Sequence, residues 1–584
     1  MARTTPPGRS GRPPRARTGP SPLTGADVAS LRAAAQRFGA PARSAKAALI
    51  AALASRSLHR PRILLACHDA LLFVAAHPDD EAIAAAAEAA LARCARAARA
   101  LAATPSGRRA LEGTGIAWSE VSAALGYDIA RWLVHRFPGH AEITSLGDGA
   151  GTLPSLLALL LPAIEADALA GERAGGLALL DRCKGPRDTR LAFLVRQLES
   201  LAAPAAVRAQ LFDALTPFLT VAPRGTRASR TFLRGPAGRV HRHAAPLRKA
   251  PAEALAVVAQ PPPRERPLAR AERRALVDVA RATLAVLARE TDPITWASVD
   301  GVSLHDLEAG FAVALFPMEP ARRFALDSHT GYLLFRQRVP IAYGGGWPFL
   351  GVCRIGVNVF PAFRGGESAL AFAHVLRVYR ARFGVARFVV EPYQFGAGNA
   401  EALRSGAFWF YWRLGFRPLD EGIAALAERE HARLQRVRGA RTPLPRMRAL
   451  AREDLALDLA PTAGPLRVEP ARLSTAVARW IVDAHGGDRR KAQAAALARV
   501  GAALGAAPGP GWTTGERAAY RSLALLVGLV DDLDRWSAAD KAACVALMRA
   551  KGAPDDAPFF AALARHPRLP AALARIADAA ATGG

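Results

Sequence analysis

From Gly331 to Pro418 the chain reads GYLLFRQRVPIAYGGGWPFLGVCRIGVNVFPAFRGGESALAFAHVLRVYRARFGVARFVVEPYQFGAGNAEALRSGAFWFYWRLGFRP, the only stretch of the 584 residues with strong β signals. Runs of alternating or β-branched apolar residues end in Val357, Val359 and Phe360. Pro361 then marks a turn, and the pair Gly365 and Gly366 opens a helix that reads as amphipathic. A strand that feeds a Gly-rich turn at a helix N-terminus is a ready anion site, because unpaired N–H groups and the helix dipole point at whatever sits there. A second strand, ARFVVEP, a last helix ending in FYWRLGF and an upstream strand at FAVALFPM complete the expected elements.

The segment VFPAFRGGESA, Val359 to Ala369, followed by that strand and by Tyr411 to Phe416, resembles the core of the GNAT acyltransferase superfamily, which binds acyl-CoA. The resemblance implies a mixed α/β domain and acetyl-CoA as acyl-donor co-substrate, with no metal. It places Arg364, Gly365, Gly366, Ser368 and Ala369 in the loop that holds the CoA pyrophosphate, with backbone groups of Asn358, Val359 and Phe360 on the acyl and pantetheine amides. Tyr411 falls where many members keep a tyrosine that protonates the leaving thiolate. A phenol with pKa near 10 suits a thiolate with pKa near 8.5 when the two are within hydrogen-bond reach. The aromatic run FWFYW at helical spacing also reads as core.

Four departures bear on that expectation. Glu367 stands where members usually have a loop glycine. Either it repels the pyrophosphate by roughly 2 to 3 kcal/mol at about 6 Å and an effective dielectric of about 20, or it points outward on the first helical turn and stabilises the dipole. Asn399, assigned to the cofactor site, lies farther from the tyrosine than in the family; the alternative is that it is simply the N-cap of the last helix. Only EPARRFALDSH separates the first strand from the next, where members spend two helices on the acceptor site. After Phe416 terminal strands are expected, yet RPLDEGIAALAEREHARLQRV reads as helix. For the catalytic base the sequence offers Glu391, a strand-end carboxylate placed to deprotonate an ammonium through water; the alternative is a solvent-facing charge or a pair with Arg387.

Outside this stretch Ala, Leu and Arg dominate, which favours helices. The five cysteines are scattered with no CxxC and read as reduced core residues of a cytoplasmic protein. No apolar run is long enough for a membrane span, LPSLLALLLPAIEADALA reads as a buried helix, and the N-terminus lacks the apolar core of a secretory signal. A net charge of +28 attracts polyanions such as nucleic acid. Two arginine clusters stand out: the tail before Asp27, and PRGTRASRTFLRGPAGRVHRHAAPLRKAP, each a loosely ordered arm or a phosphate contact.

These signals divide the chain into a disordered basic tail (1–22), a helical hairpin (23–57), an all-α domain (58–222), a basic Pro-rich linker and helix (223–295), the GNAT-like domain (296–430) and an all-α C-terminal domain (440–584). The hairpin resembles the SAP motif, a nucleic-acid-binding module, through Gly39, Lys46, Leu49, Ile50 and Leu53. AHPDDE, Ala76 to Glu81, matches the metal-binding signature of PIG-L-like zinc deacetylases, but the helix-forming AIAAAAEAALA that follows favours an acidic helix start. His241 and His243 lie between arginines with no carboxylate or thiol nearby in sequence, which speaks against a chelate. The expected function is therefore a GNAT-type N-acetyltransferase acting on an unidentified amine. The alternative is a non-catalytic GNAT-fold scaffold that binds nucleic acid through its basic and SAP-like segments. Oligomeric state and acceptor stay open at this level.

Overall fold

The computed structural model describes residues 21–170, 175–238, 240–459 and 468–582. The expected basic tail therefore lies, up to residue 20, outside the described residues. Four helices come first: α1 (Gly25–Ala35), α2 (Ala40–Ala54), α3 (Pro61–Ala76) and α4 (Glu81–Ala102). Thr24 and Asp27 close a reciprocal capping box on α1, and Gly39, at φ +99°, turns the chain into α2. The hairpin is thus formed, but its Lys46 is fully buried against Asp79, 2.5 Å away, and Ile50 and Leu53 are core. The residue that the SAP resemblance would turn toward nucleic acid is spent on packing.

The stretch 58–222, expected to be all helical, instead carries an antiparallel sheet of β1 (Val121–Ala124), β2 (Ala141–Leu146) and β3 (Pro217–Val221) in the order β1-β3-β2. VSAA is helix-prone by composition, and it becomes a strand because Val121 to Ala124 pair with Val221 to Phe218 on a distant segment. This sheet and its helices enclose a second core around Ile143, Leu194, Phe212 and Leu219. The apolar LPSLLALLLPAIEADALA splits at Pro162; Leu153, Leu156 and Leu157 are buried, whereas Ile164 is 82% exposed, so only the first half is the buried helix expected.

The main sheet has nine strands: β4 (Arg264–Glu265), β5 (Ser303–Asp306), β6 (Phe311–Phe316), β7 (Thr330–Arg336), β8 (Val339–Phe349), β9 (Val352–Val359), β10 (Arg387–Val390), β11 (Arg417–Pro418) and β12 (Leu455–Asp458). Their order is β11-β12-β10-β9-β8-β7-β6-β5-β4, and every pair is antiparallel except β9 with β10. A parallel neighbour requires a crossover, supplied by the helix Ser368–Phe383. That helix is not amphipathic in its setting. Residues 370–379 are all buried, between the sheet, the helix Pro251–Val258 and the helix Ala557–Arg565. Its polar Arg377 is satisfied by Glu308 and by the Pro261 carbonyl at 2.8 Å each.

Two domain expectations change accordingly. Residues 223–295 are no linker: they supply the edge strand β4, the covering helix Pro251–Val258 and the packed helix Arg270–Ala285. The basic arm within them is an ordered strap, where Arg230 reaches Asp69 and the Thr114 carbonyl and Arg234 forks onto Glu88. The terminal strands missing from the sequence pattern are present as β11 and β12, with two helices between them, so the C-terminal region is not all α. From Pro470 on it is helical, and it docks through a fully buried network in which Asp556 accepts from Ser328 at 2.7 Å and from Lys551 at 3.2 Å. Among the described residues no helix is long and apolar enough to cross a membrane, and all five cysteines are free thiols.

Candidate functional site

β9 and β10 pair only from Val352 to Arg354 with Arg387 to Val389, after which β9 runs on to Val359 and leaves its edge without a partner strand. Two side chains close on that edge. The Val357 N–H donates toward the Tyr411 hydroxyl oxygen, and the Gln394 side chain lies against Gly356. A Cβ built at Gly356 would stand 2.7–2.9 Å from the Gln394 amide atoms, so a side chain there would displace it. Gln394 went unnoticed in the sequence, because nothing in YQFGAG announces that the loop folds back onto β9.

Tyr411 is both core and candidate chemistry. Its ring packs edge-on against Phe372, Phe395, Phe410 and Phe416, and burial pushes the phenol well above its ordinary pKa despite the Val357 N–H. It is therefore protonated across the physiological range, the state a proton donor needs. The helix carrying it, Ala407–Arg413, is separated from Ala400–Ser405 by Gly406 at φ +71°. Asn399 is the N-cap of the earlier helix, accepting from Ala402 N–H at 3.0 Å and donating to the Tyr393 carbonyl at 3.2 Å.

The turn after β9 is a 3-10 turn over Pro361–Phe363, then Arg364, then Gly365 at φ +76°. Arg364 donates to the Val359 carbonyl at 3.0 Å and to Glu401 at 2.7 Å, so one guanidinium bridges the β9 end and the Ala400–Ser405 helix. Arg364 and Gly365 are exposed, Ser368 and Ala369 half-buried, and Gly366 lies under the Phe73 ring of α3. The first bond of the long helix is Ala371 N–H to the Glu367 carbonyl at 2.8 Å, so the amides of Ser368, Ala369 and Leu370 precede the helical ladder. Asn358 is exposed and Val359 half-buried at the mouth, with Phe360 buried behind them.

Glu367 takes neither orientation expected from the sequence. Its carboxylate turns away from the loop and is buried, at 2.8 Å from Arg336, 3.5 Å from His77 Nε2 and 3.1 Å from the Arg248 N–H. Burial alone would raise its pKa; the His77 hydrogen bond and the Arg336 charge overcome that and hold it at about 2. Burial lowers Arg336 to about 10 and His243, beside it, to about 3. The carboxylate gathers three donors while the guanidinium mainly loses water, so the benefit of the pair resides on Glu367.

The same contacts settle the remaining motifs. In AHPDDE, His77 serves Glu367, Asp79 serves Lys46 and Asp80 caps α4 through the Ile83 N–H at 2.9 Å. His243 N–H bonds the Pro78 carbonyl at 2.9 Å and its ring packs on Phe38. Among the described residues no group of three or more His, Cys, Asp or Glu is placed to hold a metal ion. The base candidate Glu391 is exposed and pairs with Arg354 at 3.5 Å, whereas Arg387 pairs with Asp458, its cross-strand neighbour on β12.

The structure thus gathers Tyr411, the end of β9, Arg364 and the Gly365 loop at one splay, adds Gln394 and Glu401, and removes Glu367 to a structural role behind it. Comparison with protein-family models, with curated proteins and with solved structures gives no match to this chain.

Proposed function

We propose that the protein is an acyl-CoA-dependent N-acyltransferase of GNAT type, with acetyl-CoA as donor and an amine as acceptor. The observation that carries this reading is the Tyr411 hydroxyl at Val357 on β9, just beyond the point where the parallel pair of β9 and β10 ends. In this reading the amides of Gly365, Ser368 and Ala369 and the Arg364 guanidinium hold the pyrophosphate, and the free β9 edge takes the pantetheine amides. The acceptor nitrogen attacks the thioester carbonyl; the C–N bond forms, the C–S bond breaks, and Tyr411 gives its proton to the departing thiolate. Glu391 takes the ammonium proton through water. Because Glu367 faces Arg336 and not the loop, the repulsion of the pyrophosphate expected from its charge falls away.

A second reading is favoured by Gln394, whose amide lies 2.7–2.9 Å from where a Gly356 Cβ would stand, over the part of β9 that the first reading gives to the pantetheine. Here the domain is a scaffold without turnover. Calorimetry with acetyl-CoA on the wild type and on Gln394→Ala separates the two. Micromolar binding by the wild type supports the transferase reading, and Tyr411→Phe then keeps that binding while slowing acyl transfer about 100-fold. Binding by Gln394→Ala alone shows a donor cleft closed by that side chain. Absence of binding by both moves the assignment to the scaffold.

A further inference from the structure

Along the β7–β8 hairpin the basic strap borders two adjoining cavities, of about 440 and 860 Å³, that share Gly235, Pro236 and Arg338 and none of the residues placed in the acyl-donor site. The strap is fixed there by the tip of the β7–β8 hairpin. Gly235 N–H donates to the Arg338 carbonyl at 2.7 Å, Arg338 Nε returns a bond to the Gly235 carbonyl at 3.2 Å, and His241 N–H donates to Gln337 Oε1 at 2.9 Å. A close approach makes Gly235 necessary, since a Cβ there would meet the Phe335 ring at 2.8 Å. The groove is therefore a formed wall and not the edge of a loose arm.

Its arginines fall into two sets. Arg136, Arg234 and Arg266 are neutralised by Asp278, Glu88 and Asp306. Arg227, Arg242 and Arg338 are exposed, and no carboxylate lies within ion-pair distance of them among the described residues. Arg227 belongs to the first cavity, Arg242 to the second and Arg338 to both, so free cations recur along the groove. The first cavity also presents the half-buried rings of Phe137 and Phe232. The lining also carries Glu272, which accepts from the Ala269 N–H, and Glu81; the three uncompensated arginines beside an aromatic floor suit a chain that carries both phosphates and flat bases. The two cavities together exceed what encloses one small molecule.

We propose that this groove binds single-stranded nucleic acid, with Arg227, Arg242 and Arg338 on phosphates and bases on the Phe137 and Phe232 rings. The site is independent of acyl-CoA and differs from the SAP-like hairpin, whose lysine is buried.

The test is fluorescence anisotropy of the full chain with a labelled 15-nucleotide uridine strand between 50 and 200 mM salt. The double variant Arg227→Glu, Arg242→Glu is compared with Arg490→Glu, Arg521→Glu, which makes the same charge change at exposed arginines on C-terminal helices. The groove variant is expected to weaken binding at least 30-fold and to flatten the log–log salt slope by about 1.4, at about 0.7 per lost phosphate contact. The control is expected to stay within threefold. Equal loss in both variants, reporting bulk charge alone, or no binding by the wild type at 50 mM salt overturns the proposal. Photocrosslinking of a bromouridine strand to the wild type serves as a second readout that needs no variant to fold. Crosslinks in peptides containing Phe137 or Phe232 support the groove, and crosslinks confined to other regions reject it.

Discussion

At the scale of single residues, Glu367 is the clearest case of a charge whose meaning depends on where the backbone aims it. Its folded pKa of about 2 lies below the ordinary carboxylate value, so its contribution is fully present above about pH 4.5 and is lost as pH falls through that value toward 2. His243, held neutral by burial, adds acid sensitivity that begins below about pH 6.5, where the unfolded chain binds a proton that the folded one refuses. Urea titrations at pH 7 and pH 4 are expected to show the wild type losing stability on acidification. Glu367→Gln should be about 3 kcal/mol weaker at pH 7, because it leaves Arg336 buried without its counter-charge, and should lose less on going to pH 4. An unchanged pH dependence in that variant would remove Glu367 from the acid response.

At the scale of elements, the run Gly344, Gly345, Gly346 inside β8 shows what the sequence discloses and what it withholds. Three glycines in a strand signal close approach by something, and the pattern does not say by what. In the structure the visitors are rings: a Cβ would meet Tyr332 Oη at 2.5 Å from Gly344, His329 Nε2 at 2.2 Å from Gly345 and Tyr379 Cε1 at 2.6 Å from Gly346. Gly344→Ala also meets the Gly356 carbonyl at 2.3 Å, so it is expected to cost about 1 to 3 kcal/mol in a thermal or urea unfolding measurement. The order from β6 to the Tyr411 helix was legible because each element carries its own periodicity and turn residues. The strand β1 and the edge strand β4 were not, since VSAA and the Arg264–Glu265 pair become strands only through partners elsewhere in the chain. The candidate site divides the same way. Arg364, Gly365 and Tyr411 stand in a local motif, whereas Gln394, Glu401 and the Arg336–Glu367 pair depend on loop return and tertiary contact.

At the scale of the molecule, the helix Ser368–Phe383 binds the parts together. The sheet lies under it, residues 251–258 cover one flank and the C-terminal helix Ala557–Arg565 another, and the N-terminal α3 places Phe73 over Gly366. The N-terminal helices, residues 254–284 and the C-terminal helices, which read as separate domains, therefore share one continuous core with the main sheet, while the β1–β3 sheet keeps its own. A fragment of residues 296–430 lacks β4, β12 and both covering helices, and it is expected to be insoluble or to show no cooperative thermal transition by circular dichroism. A soluble, cooperatively melting fragment would contradict this account.

The placement of β12 also sets a timetable. As the chain leaves the ribosome, β9 and β10 can associate as soon as the helix between them has formed, but β11 has no neighbour until Leu455 to Asp458 emerge and slide between it and β10. For the interval in which residues 419–454 are being synthesised, the nascent sheet exposes the β10 edge, a hydrogen-bonding template open to other chains. The last strand of this sheet works as a late-arriving keystone, and the yield of correctly assembled protein depends on how well that slot is kept vacant until it comes.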